Sequence, residues 1–477
     1  MPAKKIINPK EDSNNKNLEF EAKSCWDVYS SAGNRKKMAD LAKRYLQFLS
    51  ECKTEREVVT YLLQQAAKAG YSEDFRNDKV VREFRGKSLL LARKGRKGFE
   101  HGFRLLGAHG DAPRLDFKQH PLYEEAQIGL AKTHYYGGIR KHQWFSRQLA
   151  LHGVVVKNDG SKIDVVIGED PKDPVFTVLD LLPHLAQGQM DKKLSKAFEA
   201  EKLNVVLGHE PAGLGKGKSG KGKKKSNNNK IKSNVLELLN ERYGIIEEDL
   251  FSAELQAVPA GPAREVGLDG QLMGGYAHDD RACCFAAIEA LFSSSKPEHS
   301  QLVIIWDKEE IGSDGATGAK SLFMEYTLGD LIEAWSPGAS LQQAFMQAKA
   351  ISGDVHGGLD PDYQDLHEKL NASLLGYGPV FCKYTGHRGK YGANDAGAEY
   401  VGWLRALLNK AGIPWQMAEL GKVDLGGGGT VAKHLAVYGM DVIDCGPSVL
   451  GMHSPFEILS KADLYATMLA YREFLQS

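Results

Sequence analysis

Between positions 37 and 68, apolar residues recur at intervals of three and four, with Tyr45, Leu46, Phe48, Leu49, Val58, Leu62 and Ala67 set in a polar background. That spacing follows the turn of an α-helix and predicts a helical N-terminal region. The pattern then changes. Residues 104–108 form a short apolar run halted by His109, Gly110, Asp111 and Pro113, as expected of a buried strand that ends in a polar loop. From about Gln119 to Leu268, short alternating or apolar runs (149–157, 163–167 and 175–182) are separated by turns. They predict a distinct β-rich unit. From Asp269 onward, strand-like runs at 301–306, 348–352 and 441–445 alternate with helical stretches, the pattern of a mostly parallel sheet covered by helices. Ser454, Pro455 and Glu457 together read as the capping box that starts the last helix.

One stretch stands apart. Residues 213–232, GLGKGKSGKGKKKSNNNKIK, have almost no apolar surface to bury and are expected to form a mobile loop, after which helical spacing resumes at 235–243. No aromatic residues interleave with its lysines to stack on bases. Its approach to a phosphate-binding loop fails at Gly222, where Ser or Thr is needed. With 61 basic and 61 acidic residues among 477, the chain is neutral, so nucleic-acid binding is not expected. No apolar run approaches the roughly 20 residues of a membrane span, and residues 1–17 lack the apolar core of a secretory signal. A cytoplasmic protein without a membrane anchor is expected. The six cysteines, including Cys283 and Cys284, follow no metal-finger spacing and read as reduced core thiols.

The chemistry concentrates in five segments at strand ends or loops: His109 with Asp111, Asp279 with Asp280, Glu309 with Glu310, Asp354, and His453. Carboxylate and imidazole donors suit zinc, or manganese or cobalt, and the set is large enough for two ions. A metal pair can polarise a peptide carbonyl and activate water, provided one carboxylate stays free as a base. Glu309 and Glu310, adjacent in an irregular segment, can divide the duties of base and ligand. Asp111 is placed to accept the second ring N–H of His109 and fix its tautomer.

The motifs AHGDAP (108–113), AHDDRACCFAAIEAL (277–291), DKEEIGSDGATGA (307–319), SGDVHGGLDPDY (352–363) and GMHSPFE (451–457) occur in an order that resembles the aspartyl aminopeptidase and aminopeptidase I family of two-zinc exopeptidases, and GGGGT (426–430) resembles its bacterial aminopeptidase I members. The resemblance implies a zinc exopeptidase-like α/β fold: a three-layer sandwich with a mixed, mostly parallel central sheet. Residues 1–118 and 269–477 would form the catalytic domain and residues 119–268 an inserted β-rich regulatory or oligomerisation domain. It implies that Asp279 bridges two ions, with His109 and Asp354 completing one site and Glu310 and His453 the other. Glu309 would be the general base, and a cis peptide would join Asp279 to Asp280. His184 would enter a neighbouring subunit's active site within a closed dodecamer.

The chain departs from the family pattern in two places. Gly357 and Asp360 stand where histidines are common, with His356 one residue out of register, and one residue is inserted before Lys383, which matches a lysine that recognises acidic substrates. Lys383, Arg388 and Lys390 are the candidate cations for an acidic side chain. The disturbed register favours neutral or broad specificity. The expected activity is removal of the N-terminal residue of short peptides. The alternatives are another two-metal amide hydrolase, such as a carboxypeptidase or deacylase, or a non-catalytic scaffold or nucleic-acid-binding protein. Taken singly, Asp354, His109 and His453 would be ordinary structural residues, and His184 a packing residue.

Overall fold

Strand residues that alternate between two apolar cores establish the centre of the molecule. A computed structural model describes residues 18–213, 230–295, 297–386 and 388–477. Its largest sheet has eight strands in the order Lys79–Phe84, Ser88–Arg93, Ser300–Trp306, Phe103–His109, Lys349–Gly353, Asp441–Gly446, Val380–Cys382 and Gln416–Met417. The four strands from Ser300–Trp306 to Asp441–Gly446 run parallel, and both flanks join them antiparallel. This is a mixed sheet in an α/β protein.

Because successive side chains of a strand point to opposite faces, each central strand feeds both cores. Leu106, Ala108, Val303, Ile305, Ile351 and Ile443 pack on one face, in the same core as apolar residues of the helices Ala32–Glu51, Glu55–Lys68, His278–Ser293, Ala398–Ala411 and Lys461–Gln476. Leu105, Leu302, Ile304, Trp306, Ala350 and Val442 pack on the other, with the helices Phe323–Trp335, Leu341–Met346 and Ala432–Ala436. Burial on both faces explains the near-continuous apolar runs in these strands. The N-terminal helical pattern resolves into two helices. The second begins with a capping box, in which the Glu57 N–H donates to Thr54 Oγ1 at 3.2 Å and the Thr54 N–H to Glu57 Oε2 at 2.9 Å.

Residues 114–259 supply a separate seven-stranded, wholly antiparallel sheet. The run at 175–182 contributes only the two residues Thr177–Val178 as strand, and Leu179, Leu181 and Leu182 are exposed. The segment expected to be a mobile loop lies outside the described residues at 214–229, while its last three residues open the helix Lys230–Tyr243. A buried polar seam joins this sheet to the helix Glu55–Lys68. His152 meets Glu57 Oε1 at 2.7 Å and Glu169 Oε1 at 3.1 Å, and Arg114 meets Glu55 Oε2 at 3.2 Å. Burial alone would lower the His152 pKa, but the two carboxylates hold it above its ordinary value.

A third sheet of five strands, Arg264–Val266, Leu272–Gly275, Glu457–Ser460, Ser448–Leu450 and His356–Gly357, corrects one expectation. The last helix begins at Lys461 with Ser460 as its cap, the Ser460 hydroxyl accepting the Ala462 N–H at 3.2 Å. Ser454 and Pro455 lie in a turn, and Glu457 opens a strand. The capping pattern misleads because the Glu457 carboxylate is engaged elsewhere. Among the described residues, no helix is long and apolar enough to cross a membrane, and all six cysteines are free and buried.

Ile304 is fully buried, so Ile304→Ala is expected to lower stability by about 2–5 kcal/mol. Leu370→Ala, at a residue 92% exposed, should stay within about 0.5 kcal/mol. Urea denaturation of both variants checks the contrast.

Candidate metal centre

The parallel strands end on one side of the sheet, where α/β proteins gather ligands. His109 closes the strand Phe103–His109 and is paired with Trp306 of the neighbouring strand. Asp354 follows directly on Lys349–Gly353. Beyond Trp306, Lys308 takes a left-handed φ of 68° and turns the chain into a single 3-10 turn, Glu309–Ile311. Asp279 lies at the entrance of the helix His278–Ser293, with a cis peptide bond to Asp280. His453, at φ 63°, sits in the loop between the strands Ser448–Leu450 and Glu457–Ser460.

These segments converge. His109, Asp279 and Asp354 form one group of donor atoms lying within 4.8 Å of one another, and Asp279, Glu310 and His453 form a second. Asp279 belongs to both. Its Oδ1 is 3.3 Å from His109 Nε2, and its Oδ2 is 3.2 Å from His453 Nε2, which also approaches Glu310 Oε2 at 3.4 Å.

The other nitrogen of each imidazole fixes its orientation. His109 Nδ1 lies 3.1 Å from the Asp111 carbonyl and 3.3 Å from Asp111 Oδ1, and His453 Nδ1 lies 3.1 Å from the Gly138 carbonyl. A carbonyl oxygen only accepts, so each Nδ1 carries a proton. In the neutral form each Nε2 would then turn a lone pair toward carboxylate oxygens, an arrangement that calls for a cation between them. The donor set therefore fits metal ions, and imidazole with carboxylate fits zinc.

The electrostatics agree. Burial, reinforced by the Asp279 charge, pushes Glu310 and Asp354 well above the usual carboxylate range. Burial also raises Glu309 to about 7; His109 opposes that rise, while Asp111 and Asp279 add to it. Burial disfavours a charged His453, but Asp279 and Glu310 outweigh it and hold the imidazole up at about 10. Glu310 Oε1 is buried without a hydrogen-bond partner. Acidic groups crowded to this degree lack positive charge.

Two buried carboxylates brace the site. Asp111 accepts the Glu309 N–H at 3.1 Å, the Glu310 N–H at 3.2 Å and the Tyr136 hydroxyl at 2.8 Å, tying the His109 strand to the glutamate turn. Glu457 accepts the Asp279 N–H at 3.0 Å and the His453 N–H at 2.7 Å, one on each oxygen. Sequence reasoning missed this role of Glu457, because its partners lie far apart in sequence or outside the expected cap. The seven-stranded unit reaches the centre through Tyr136 and Gly138. A Cβ on Gly138 would stand 3.1 Å from His453 Nδ1, which favours glycine there.

The centre opens into a cleft of about 780 Å³, whose lining includes Asp279, Glu309, Glu310, Asp354, His453, His356, Arg388, Lys390 and the glycines 426–429. His356 is buried, its Nδ1 3.1 Å from both Ser373 Oγ and the Gly357 carbonyl. Lys383 pairs with Asp395 at 3.5 Å, and Lys390 pairs with the same carboxylate at 3.0 Å. His184 is not brought to the cleft; it is exposed in the turn Pro183–Leu185.

Comparison with known proteins identifies the family of the chain. The family model for the aminopeptidase I zinc metalloproteases (M18) matches residues 48–475. The chain is 46% identical over 469 residues to a probable M18 family aminopeptidase 1 of Clostridium acetobutylicum, covering 96% of this chain and 98% of that protein. It superposes on the crystal structure of an M18 family aminopeptidase from Thermotoga maritima with a TM-score of 0.89 at 45% identity, covering 96% and 100% of the two chains. The mApe1 dodecamer of S. cerevisiae shares the fold at a TM-score of 0.73 and 19% identity, covering 92% of this chain and 97% of that one. The chain belongs to the M18 family of aminopeptidase I zinc metalloproteases, and it is a metalloaminopeptidase.

Proposed function

We propose that the enzyme removes the N-terminal residue of short peptides with two divalent ions, zinc first and manganese or cobalt as substitutes. His109, Asp279 and Asp354 hold one ion, and Asp279, Glu310 and His453 the other. The observation that carries this reading is the position of Asp279, each of whose oxygens faces a different orientated histidine. When bound, the ions supply the charge that polarises a peptide carbonyl and acidifies water.

The residues of the chain perform the rest. Glu309 belongs to neither donor group yet lines the cleft beside them, so its carboxylate is free to take a proton from the attacking water and deliver it to the departing amine. Asp111 holds His109 in the tautomer that offers Nε2. Asp111 also anchors both glutamates through their backbone N–H groups, which fixes the base relative to the ligands. Neutral or broad specificity for the N-terminal side chain follows from Lys383 being drawn to Asp395.

The architecture is read as a three-layer sandwich formed by residues 1–118 and 269–477, with residues 119–268 as an inserted regulatory and oligomerisation domain. The likeness to the yeast dodecamer and the exposed leucines 179, 181, 182 and 185 around His184 support a homo-oligomer, taken to be a dodecamer, in which His184 enters a neighbour's active site. A cytoplasmic location is proposed with it.

Three outcomes are expected. Chelated protein should be inactive on leucyl, lysyl, aspartyl and glutamyl chromogenic substrates and regain cleavage with zinc, manganese or cobalt, fastest on the neutral substrates; no cleavage with any metal would sink the reading. Glu309→Gln should retain metal by elemental analysis while turnover drops by about 10²–10⁴-fold. His184→Ala should lower turnover without changing the assembly's mass in light scattering; unaltered turnover would remove His184 from the reaction.

A further inference from the structure

Beyond the metal centre, the cleft carries a second set of charges. Its volume of about 780 Å³ lies in the roughly 300–1,000 Å³ range of small-ligand sites. Asp279, Glu309, Glu310 and Asp354 make one part of its lining acidic, while Arg388, Lys390, Lys422 and Lys433 line it elsewhere. Internal pairs account for some of these charges. Lys390 pairs with Asp395 and lies 3.7 Å from the centroid of the Tyr384 ring, and Glu419 accepts the Tyr384 hydroxyl. Among the described residues, Lys422 and Lys433 have no carboxylate partner.

The two lysines flank the glycine-rich loop, Lys422 before it and Lys433 in the helix Ala432–Ala436 after it. The Lys422 N–H donates to the Leu366 carbonyl at 3.1 Å, and the Lys422 carbonyl accepts the N–H groups of Leu425 at 3.0 Å and Gly426 at 2.8 Å. A Cβ on Gly426 would stand 1.8 Å from the Leu420 carbonyl oxygen, so only glycine closes this turn. Lys433 Nζ lies 3.0 Å from where a Cβ on Gly429 would be. The bare loop lets the ammonium lie along the cleft wall.

A short peptide is itself a dipole, with an ammonium at one end and a carboxylate at the other. We propose that Lys422 and Lys433 receive the C-terminal carboxylate of a di- or tripeptide whose N-terminal ammonium faces the acidic metal centre. The inference rests on the aminopeptidase reading of this site and names its substrate class. The same chemistry offered by an acidic N-terminal side chain is the competing source of the carboxylate.

The test is kcat/KM of the zinc-loaded enzyme on leucyl-alanine and leucyl-alanyl-alanine, each against its C-terminally amidated form, with aspartyl-alanine amide against leucyl-alanine amide. The free acids should be favoured by about tenfold, mainly through KM, with the advantage shrinking as salt rises. In the Lys422→Met, Lys433→Met double variant the acid-to-amide ratio should approach one, and Lys433→Glu should favour the amides. Equal rates on acids and amides in the wild type, or a preference that survives in the double variant, would overturn the proposal. So would a preference of the wild type for aspartyl-alanine amide, which would assign the lysines to the N-terminal side chain. Cleavage of no peptide at all would overturn the peptidase reading and this inference together.

Discussion

Crowding of buried carboxylates around Asp279 is the constraint on which the rest of the structure depends. Asp279, Glu310 and Asp354 would repel one another in a medium that screens poorly, and burial alone already disfavours their charge. Two imidazoles offset part of this, since the same carboxylates outweigh burial and push both histidines above their ordinary pKa. The groups become compatible when cations sit among them. Folding this sequence therefore prepares a place for positive charge.

The scaffold bears that cost through backbone bonds. Glu457 presents its two oxygens to N–H groups of two segments, those of Asp279 and His453, and Asp111, which follows the His109 strand, accepts the N–H groups of both Glu309 and Glu310, so the ligands are tied together in a way that no single element could achieve. The two-faced core behind them keeps the central strands in register, so the strand ends cannot drift apart. The contribution of Tyr136 and Gly138 makes the seven-stranded unit part of the centre's support.

Function follows from charge placed unevenly in one cleft. The buried carboxylates of the centre favour positive charge among them, and Lys422 and Lys433 line the same cleft. Glycine at 426 and 429 permits that closeness, because any side chain there would meet the loop backbone or the lysine.

Much of this was legible in the chain. Both period-two and near-3.6 patterns located the elements, because burial on a strand or helix imposes those periods, and the five motifs singled out the residues that the fold brings together. The sequence determined which donor types were present and that strand ends would carry them. Other features depended on tertiary structure. Ser454, Pro455 and Glu457 satisfy a local capping rule, yet Glu457 bonds to Asp279, 178 positions away, and no local rule registers a partner at that separation. The pairing of Asp279 with two histidines, the bracing by Asp111 and the lack of a carboxylate partner for Lys422 and Lys433 among the described residues are likewise properties of distance. Residue types and periodicity are written along the chain, whereas contacts between remote segments exist only once the cores on both faces of the sheet have closed.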